Sequence, residues 1–430
     1  MNLQEKINQD FSQYKTQANS SDAFVQLREQ AFTEFEKLGF PSTKHEEWKY
    51  TNLKPIAEQS FQATCEINPA VHAFVKQSIF STIQANRLVF VNGSFVQELS
   101  TMLETNTEII IGSLATERHK HKTIFEAHFG KYAQVEGQAL NALNTALLSD
   151  GAFVVVPDGK TVSHPIVILN ITDSSAINVL AQPRNLVVIG KSASVTIIEA
   201  YEAMGTNAAF TNGVTEVYAA ENAHVEHYKI QQQAGESYQN NFTQIFQEAN
   251  TNINHVTLTL DGTMVRNNLH FYMNGENCNS LLYGLYITDS KDFVDNHTRV
   301  DHAKPNCFSD EKYKGILKDQ STAVFNGKIM VHLDAQKTNA YQRNQNILLS
   351  DDATVNTKPQ LEIFADDVKC THGATIGQLD EEPMFYLRSR GIPEDVARKL
   401  LLNAFADDIA EKINIPELVT LLEQQIEHKL

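Results

Sequence analysis

The stretch from about residue 152 to 378 alternates short apolar, β-rich runs with polar turns and shows almost no helical periodicity. Within it a loose pattern recurs: a small residue, any residue, Ser, Asn or Asp, a second small residue, any residue, and Val. Copies stand at residues 190–195, 220–225 and 350–355, with a weaker echo that begins at Gly275. The first two copies lie 30 residues apart, which is a period typical of solenoid proteins.

This repeat predicts a mainly β fold that grows by stacking coils. A tight polar turn followed by a small inward residue lets one strand bend into the next, so stacked coils pair their strands and bury an apolar column. Stacking also suits a chain of 430 residues, because a single globular core stops growing at roughly 250–300 residues. A pair of packed β-sheets or a barrel explains the same texture, and the pattern alone leaves these alternatives open.

Residues 1–150 are predicted to form an N-terminal helical region with one small hairpin. Residues 87–98 contain two apolar runs joined at Asn92-Gly93, which indicates the hairpin, and residues 115–150 have helical spacing. Apolar residues at spacings of three and four predict a first amphipathic helix, with the stripe Phe24, Leu27, Ala31, Phe35 and Leu38.

Helical periodicity returns over residues 379–430, after a β-rich core predicted at 151–378. Pro393 and Pro416 stand where the first turn of a helix tolerates proline, and apolar residues follow each of them at helical spacing. We expect a C-terminal helical domain of two or three helices that caps the end of the β-rich core.

Charge and cysteine content exclude several classes of protein. The net charge of −17 repels phosphate backbones, so a nucleic acid is not expected as a partner. No apolar run approaches the ~20 residues that span a bilayer, and the polar start lacks the apolar core of a signal peptide. Four scattered cysteines without a CxxC pair indicate reduced thiols and a cytoplasmic location.

The chain lacks the motifs of a self-sufficient enzyme. The Gly-Lys-Ser at residues 190–192 is not a phosphate-binding loop, because that loop needs glycine at the position of Asn185. No GxGxxG, GxSxG or HExxH pattern is present. The alternative from another class is a secreted-type β-helix polysaccharide lyase or hydrolase, which needs a carboxylate pair or a cluster of basic residues on an exposed solenoid face. We expect a non-catalytic protein, because such enzymes are usually secreted and this chain has no signal peptide.

Three stretches give the chain a specific resemblance. They are PSTKHEEWKYTNL at residues 41–53, DNHTRVDHAKPNCFSDEKYKGIL at 295–317, and the long stretch 357–392 that contains KCTHGAT. Together they resemble the SufB/SufD family of the SUF iron–sulfur cluster assembly system. Within that family the SufD branch fits better, because SufB has glutamate at the position of Gly373 and a cluster-building cysteine where an ungapped alignment places Asn344.

The resemblance implies a right-handed parallel β-helix between helical ends. It also implies a heterodimer with a SufB paralogue through the two β-helices, and binding of SufC, an ABC-type ATPase, through the C-terminal helices. The complex would build a nascent cluster and pass it on, and the SufD branch is tied to iron acquisition. We expect no stably bound cofactor on the lone chain, a transient iron or iron–sulfur cluster at the partner interface, and a possible homodimer when the chain is alone.

Cys370 and His372 are the candidate ligands for iron or a cluster. On a strand, residues i and i+2 point to the same face. Thiolate and imidazole are ligands that iron and iron–sulfur clusters use. The residues alone are equally typical of packing positions, and the ligand role is what the resemblance implies. Two ligands fill half of a tetrahedral site, so a partner chain or the cluster sulfides must complete it.

Leu400, Leu401 and Phe405 are the candidate contacts with the ATPase. Three adjacent helical residues at 400–402 spread over about 200° of the helix circumference, so one buried face cannot cover them all. An exposed apolar remainder marks a partner site. The alternative is a helix sandwiched between the end of the β-helix and the helix that follows Pro416.

The sequence also singles out residues for which a packing role is expected. Trp48 is predicted to anchor the N-terminal helices by burying its ring. Cys278 and Cys307 are expected to be inert core or turn cysteines. A fold-back of the second signature stretch could bring His297 and His302 towards one site, although hydrogen bonding in a loop explains both residues as well.

Overall fold

The computed structural model describes residues 3–17, 23–64 and 66–429. Two ten-stranded sheets, which we call sheet A and sheet B, dominate these residues, and helices lie at both ends of the chain. The helices are α1 (Leu3–Gln17), α2 (Ala23–Leu38), α3 (Lys54–Ala57), α4 (Ala70–Gln77), α5 (Leu114–Lys120), α6 (Lys122–His128), α7 (Ala139–Leu147), α8 (Glu381–Ser389), α9 (Glu394–Ala410) and α10 (Pro416–Lys429).

The strands fall into an introductory group and a long regular series. The first group is β1 (Asn86–Val91), β2 (Ser94–Phe95), β3 (Ile110–Ser113), β4 (Ala152–Val156), β5 (Ile166–Ser174), β6 (Val179–Ala181) and β7 (Arg184–Ile189). The series is β8 (Ser194–Gly205), β9 (Ala209–Ala219), β10 (His224–Gln232), β11 (Ser237–Gln247), β12 (Asn252–Asp261), β13 (Met264–Met273), β14 (Asn279–Thr288), β15 (Phe293–His302), β16 (Phe308–Leu317), β17 (Thr322–Val331), β18 (Thr338–Leu348), β19 (Thr354–Ile363) and β20 (Val368–Gly377).

Successive strands alternate between the two sheets and stack in parallel. In sheet B, β10 pairs with β8 on one side and β12 on the other, and in sheet A, β11 lies between β9 and β13. This topology is a parallel β-solenoid of about eight turns with helices at both ends, so the predicted fold class is confirmed. A pair of antiparallel sheets, the alternative from the pattern, is wrong.

The copies at residues 190–195 and 220–225 and the echo that begins at Gly275 form one corner of the coil. Their third residue adopts a left-handed conformation, with φ of 53° at Ser192, 62° at Asn222 and 58° at Asn277. Ser and Asn suit these turns because a short polar side chain can bond locally to the backbone. The copy at residues 350–355 lies at the opposite corner, between β18 and β19.

The predicted N-terminal hairpin is confirmed. β1 and β2 pair in antiparallel fashion, and both turn residues, Asn92 and Gly93, have positive φ. β1 also pairs in parallel with β5, so the hairpin forms the first rung of sheet B. Helices α5, α6 and α7 occupy the segment at residues 115–150 where helical spacing predicted helices.

The interior of the solenoid is partly polar. The Glu199 carboxylate lies 3.1 Å from both Lys229 Nζ and His227 Nε2, and all three side chains are buried. Burial opposes ionisation of Glu199, yet Lys229 and His227 outweigh it and hold the pKa of that carboxyl far below its usual value. Burial drives the pKa of the neighbouring His255 well below its usual value, so this imidazole is neutral.

The C-terminal helices do not cap the solenoid, contrary to expectation. Helices α9 and α10 lie along the outer face of sheet B, where Leu402 and Ile409 of α9 join one apolar cluster with Tyr283 and Leu285 of β14. The Lys314 ammonium, on β16, donates to the carbonyl oxygen of Phe405 at 2.7 Å. The last coil is therefore left uncovered by these helices.

Membrane insertion through a helix finds no support in the fold. Across the described ranges of the chain, every helix is too short or too polar to cross a bilayer.

Candidate functional site

The last coil ends the solenoid with an open edge. β19 and β20 are the terminal strands of sheets A and B, and each pairs with only one neighbour, β17 and β18 respectively. The strands of the earlier coils are mostly buried, as β9 is, or alternate between buried and partly buried residues, as β17 does, whereas most of β20 is exposed. Backbone N–H and C=O groups on the outer side of such strands are available for pairing with another chain.

Cys370 and His372 lie together on β20, at the mouth of the solenoid. Cys370 is in register with Ala340, and His372 is in register with Gln342, and both of these β18 side chains are buried inside the coil. Cys370 and His372 therefore occupy inward-facing columns that no further coil covers. Cys370 is half-buried, and burial raises the pKa of its thiol, while His372 is exposed.

A buried carboxyl lies two coils behind His372. Glu311 on β16 accepts a hydrogen bond from Gln342 Nε2 at 2.8 Å, and Gln342 is the register partner of His372. Burial raises the pKa of Glu311 to about 7. The column Glu311, Gln342 and His372 thus carries polar groups from the interior to the open mouth, which sequence periodicity did not reveal.

The mouth does not hold a complete metal site. In the described portion of the chain, no three His, Cys, Asp or Glu side chains come together as a metal-binding group. Cys370 and His372 supply one soft and one imidazole ligand, half of the four that a tetrahedral iron needs.

Exposed apolar side chains surround the last coil. Phe364, in the turn between β19 and β20, is 60% exposed, and Leu333, before β18, is 67% exposed. Ile376 stands in an inward-facing column of β20 but is 47% exposed because no coil lies beyond it. Large apolar groups that are left exposed in one region mark interaction surfaces.

Helix α8 forms a second exposed region, which the sequence analysis missed. None of its residues is buried, and Phe385 and Tyr386 are 74% and 57% exposed. Asp380 caps the helix by accepting a hydrogen bond from the backbone N–H of Glu382. The signal was available in the sequence, because two adjacent residues of a helix point about 100° apart, so Phe385 and Tyr386 cannot both face one core.

The three predicted ATPase contacts on α9 differ in exposure. Leu400 is 47% exposed, whereas Leu401 is half-buried and the adjacent Leu402 is fully buried against sheet B. Phe405 is half-buried, and the Lys314 ammonium lies 4.3 Å from the centre of its ring. The fan of leucines therefore splits as geometry requires, with Leu402 towards the chain's own core and Leu400 towards solvent.

The first signature stretch forms a strap across the outer face of sheet A. The Arg266 guanidinium lies 3.9 Å from the centre of the Trp48 ring. Arg266 also forms a buried ion pair with Asp295 beneath the strap. Thr51 donates a hydrogen bond to the same Asp295 carboxylate. Trp48 therefore anchors the strap to the solenoid through Arg266, and its ring is only half-buried, so the predicted burial of the ring among the N-terminal helices is only partly met.

The strap brings the three signature stretches together. Glu47 of the first stretch lies 3.3 Å from His297 of the second, and Glu46 lies 2.6 Å from Lys358 of the third. Beside these pairs is a cavity of about 400 Å³ between the strap and sheet A. His302 lies on the opposite face of β15 from His297 and bonds Ser309 inside the coil, so the two histidines do not share a site.

The comparisons with known proteins agree with the resemblance. The family model of the SufBD core domain of the SUF system for FeS cluster assembly matches residues 170–405, and that of the SufBD protein N-terminal region matches residues 1–168. The chain is 33% identical to an iron–sulfur cluster assembly SufBD family protein of Synechocystis, over 98% of this chain and 95% of that relative.

Two further relatives extend this picture. Identity to the iron–sulfur cluster assembly protein SufD of Escherichia coli is 32%, over 88% of this chain and 86% of the relative. Identity to the chloroplastic protein ABCI7 of Arabidopsis thaliana is 29%, over 75% and 73% of the two chains. These matches favour an assembly role over the polysaccharide lyase or hydrolase alternative. The chain belongs to the SufBD family of the SUF iron–sulfur cluster assembly system.

Proposed function

We propose that this chain is a non-catalytic, cytoplasmic scaffold subunit of a SUF assembly complex. It pairs with a SufB-like paralogue through its last coil and binds a SufC-like ATPase through its C-terminal helices. The observation that carries the proposal is the open last coil, which places Cys370 and His372 at an uncovered edge. The three described cysteines are all unbonded, which suits a reducing compartment.

Pairing of two β-helices follows from the chemistry of the edge. β19 and β20 offer two unpaired strand edges, one in each sheet, and a second solenoid can continue both ladders. The exposed Phe364 and Ile376 would be covered in the same step, which adds apolar burial to backbone hydrogen bonding. A second copy of this chain offers the same edge, so a homodimer is expected when the paralogue is absent.

Iron, or an iron–sulfur cluster, is the cargo of the proposed interface. Cys370 and His372 supply two ligands, and the paralogue or the cluster sulfides supply the others. Because two ligands hold a metal weakly, the lone chain should bind no cluster stably. The cargo should be held only while both subunits are paired.

The ATPase surface is proposed on α8 and the exposed side of α9. Phe385, Tyr386 and Leu400 present apolar side chains on neighbouring helices, and Leu401 and Phe405 contribute the half-buried margin. Aromatic residues are enriched at the centres of protein interfaces.

The ligand role is tested in the three-subunit complex, co-expressed and purified anaerobically. His372→Ala should lower the iron and acid-labile sulfide bound per complex, while the complex remains intact by light scattering. His119→Ala removes an exposed histidine of α5 and is the matched control. Unchanged iron and sulfide in His372→Ala would exclude the ligand role.

The ATPase surface is tested by substitution, not truncation. Removing residues 393–430 would strip Leu402 and Ile409 from the apolar face of sheet B and destabilise the solenoid itself. Leu400→Glu and the double variant Phe385→Ala/Tyr386→Ala should weaken ATPase binding in a pull-down and preserve pairing with the paralogue. The control is Met102→Glu, since Met102 is 46% exposed and lies in the N-terminal region. ATPase affinity equal to that of the parent chain would exclude this surface.

A further inference from the structure

Two cysteines occupy the same place in successive coils. Each follows a left-handed asparagine, Asn277 before Cys278 and Asn306 before Cys307, with φ of 58° and 62°. The strands that follow are in register, with Asn279 opposite Phe308, so Cys307 stacks directly on Cys278. The pair thus arises from the turn repeat of the solenoid, which places the residue after each such asparagine in one column.

Stacking sets a distance that a disulfide can span. Neighbouring strands of a sheet lie about 4.8 Å apart, and disulfides join residues whose Cα atoms are roughly 4.4–6.8 Å apart. The backbone N–H of Phe308 donates to the carbonyl oxygen of Cys278 at 2.8 Å, which fixes the two turns against each other.

The two sulfur atoms converge on one point. Cys278 Sγ and Cys307 Sγ lie 3.2 and 3.3 Å from the same carbonyl oxygen, that of Gly275. The close approach of the two thiols lowers the pKa of Cys278 to about 7 and raises the pKa of Cys307. The two sulfur atoms therefore lie side by side in one buried column, where the loss of one proton leaves a thiolate next to a thiol.

The surroundings favour a dithiol over a metal centre. Both side chains are buried, and within the described residues no third His, Cys, Asp or Glu joins them in a metal-binding group. Cys370, the candidate cargo ligand, lies on β20 and is in register with Ala340, away from this column.

We propose that Cys278 and Cys307 form a redox modification site, which hydroperoxides convert to an intramolecular disulfide between two adjacent coils. The Cys278 thiolate attacks the peroxide, an S–O bond forms, the O–O bond breaks and hydroxide leaves. Cys307 then attacks the sulfenic sulfur, the S–S bond forms and the S–O bond breaks, with loss of water. In sum, two thiols and one hydrogen peroxide give one disulfide and two waters.

The bond would tie together the coils that begin β14 and β16. A cross-link between stacked turns restricts the unfolded chain, since it closes the segment between residues 278 and 307. Oxidation is therefore expected to raise the resistance of the solenoid to heat. This inference does not rest on the proposed partner surfaces.

The experiment uses the full chain with Cys65→Ser and Cys370→Ser, so that only the pair remains. After treatment with hydrogen peroxide, intact mass spectrometry should show a loss of 2 Da, as expected for one disulfide. Alkylation should then label neither thiol, a peptide linking residues 278 and 307 should appear on digestion, and dithiothreitol should reverse all three. The oxidised chain should melt at a higher temperature than the reduced chain.

Single variants distinguish the disulfide from ordinary overoxidation. Alanine occupies the same column at Ala193 and Ala223, so Cys278→Ala and Cys307→Ala should preserve the fold. In Cys307→Ala the remaining Cys278 thiol should gain oxygen atoms and lose no hydrogens, whereas in Cys278→Ala the Cys307 thiol should stay reduced, because its pKa is raised by burial. The proposal would be overturned if the chain that keeps only the pair gained oxygen atoms and formed no disulfide. It would also be overturned if, in the unchanged chain, peroxide oxidised Cys370 and left both Cys278 and Cys307 fully open to alkylation.

Discussion

His302 gives the sharpest test of the buried interior. Its imidazole is fully buried, with Nε2 2.9 Å from the Ser309 hydroxyl oxygen. Nδ1 has no hydrogen-bond partner among the described residues. Burial lowers the pKa of His302 to about 3, so the ring stays neutral in the folded chain at any pH at which the protein is handled. The perturbation is His302→Gln, whose amide can still donate to Ser309.

The magnitude follows from proton linkage. An unfolded imidazole titrates near pH 6.5, and each pH unit below that value stabilises the unfolded state by about 1.36 kcal/mol. Because the folded pKa is lowered, the contribution of His302 to stability is complete above pH 6.5 and is lost as the pH falls. At pH 5.0 the loss is about 2 kcal/mol, since 1.5 pH units separate the two values. The variant should not show this loss.

The assay is urea unfolding followed by circular dichroism at pH 7.5 and pH 5.0. Between these two pH values the parent chain should lose about 2 kcal/mol more free energy of unfolding than His302→Gln. His119→Gln removes an exposed histidine and should retain the acid sensitivity of the parent. Equal losses in the parent and His302→Gln would refute a buried neutral imidazole at this position.

Two further predictions concern packing and a buried ion pair. Gly284→Ala would place its Cβ 2.2 Å from Tyr313 Cε1 inside the coil, so the free energy of unfolding, measured by urea titration, should fall by about 1–3 kcal/mol. The control is Gly373→Ala, whose Cβ would have no atom within 4 Å and should leave the free energy of unfolding unchanged. Arg266→Met removes the guanidinium from the buried Asp295 carboxylate and leaves His297 Nε2, at 3.0 Å, as its neighbour, so the free energy of unfolding should fall by about 3–5 kcal/mol. Part of that loss should be recovered in Arg266→Met/Asp295→Asn, and a single variant as stable as the parent would contradict the pairing.

Local chemistry allowed much of the fold to be predicted. The turn at Asn92-Gly93 needs two residues that tolerate positive φ. Only a few residue types do so, and the hairpin could therefore be predicted from the sequence. The solenoid could be predicted for the same reason, because Ser192 and Asn222 occupy equivalent turns and both have positive φ. The corner at Asn250 escaped notice, since its neighbour Thr251 is not as small as the alanines of the other copies.

Long-range arrangements could not be predicted in the same way. The apolar stripe of α9 shows that the helix is covered, but sheet B and the end of the solenoid are equally apolar candidates for the cover. Similarly, each signature stretch is local in sequence, whereas the ion pairs Glu46–Lys358 and Glu47–His297 join stretches that are more than two hundred residues apart. These contacts depend on how the coils stack. The expected metal ligands gain their place from the register of β20 with β18, which no local pattern encodes.

The position of the C-terminal helices explains why the last coil is suited to pairing. An open edge of two strands is a liability that proteins usually cover with a helix, a loop or charged side chains. Here helices α9 and α10 pack on the outer face of sheet B, and Phe364 and Ile376 of the last coil remain exposed. An open edge beside exposed apolar residues favours pairing with another chain, and the same edge carries Cys370 and His372. In the proposed complex, covering the edge and completing the ligand set of the cargo would therefore be one event, and for this reason we expect the lone chain to hold neither a cluster nor a fixed metal.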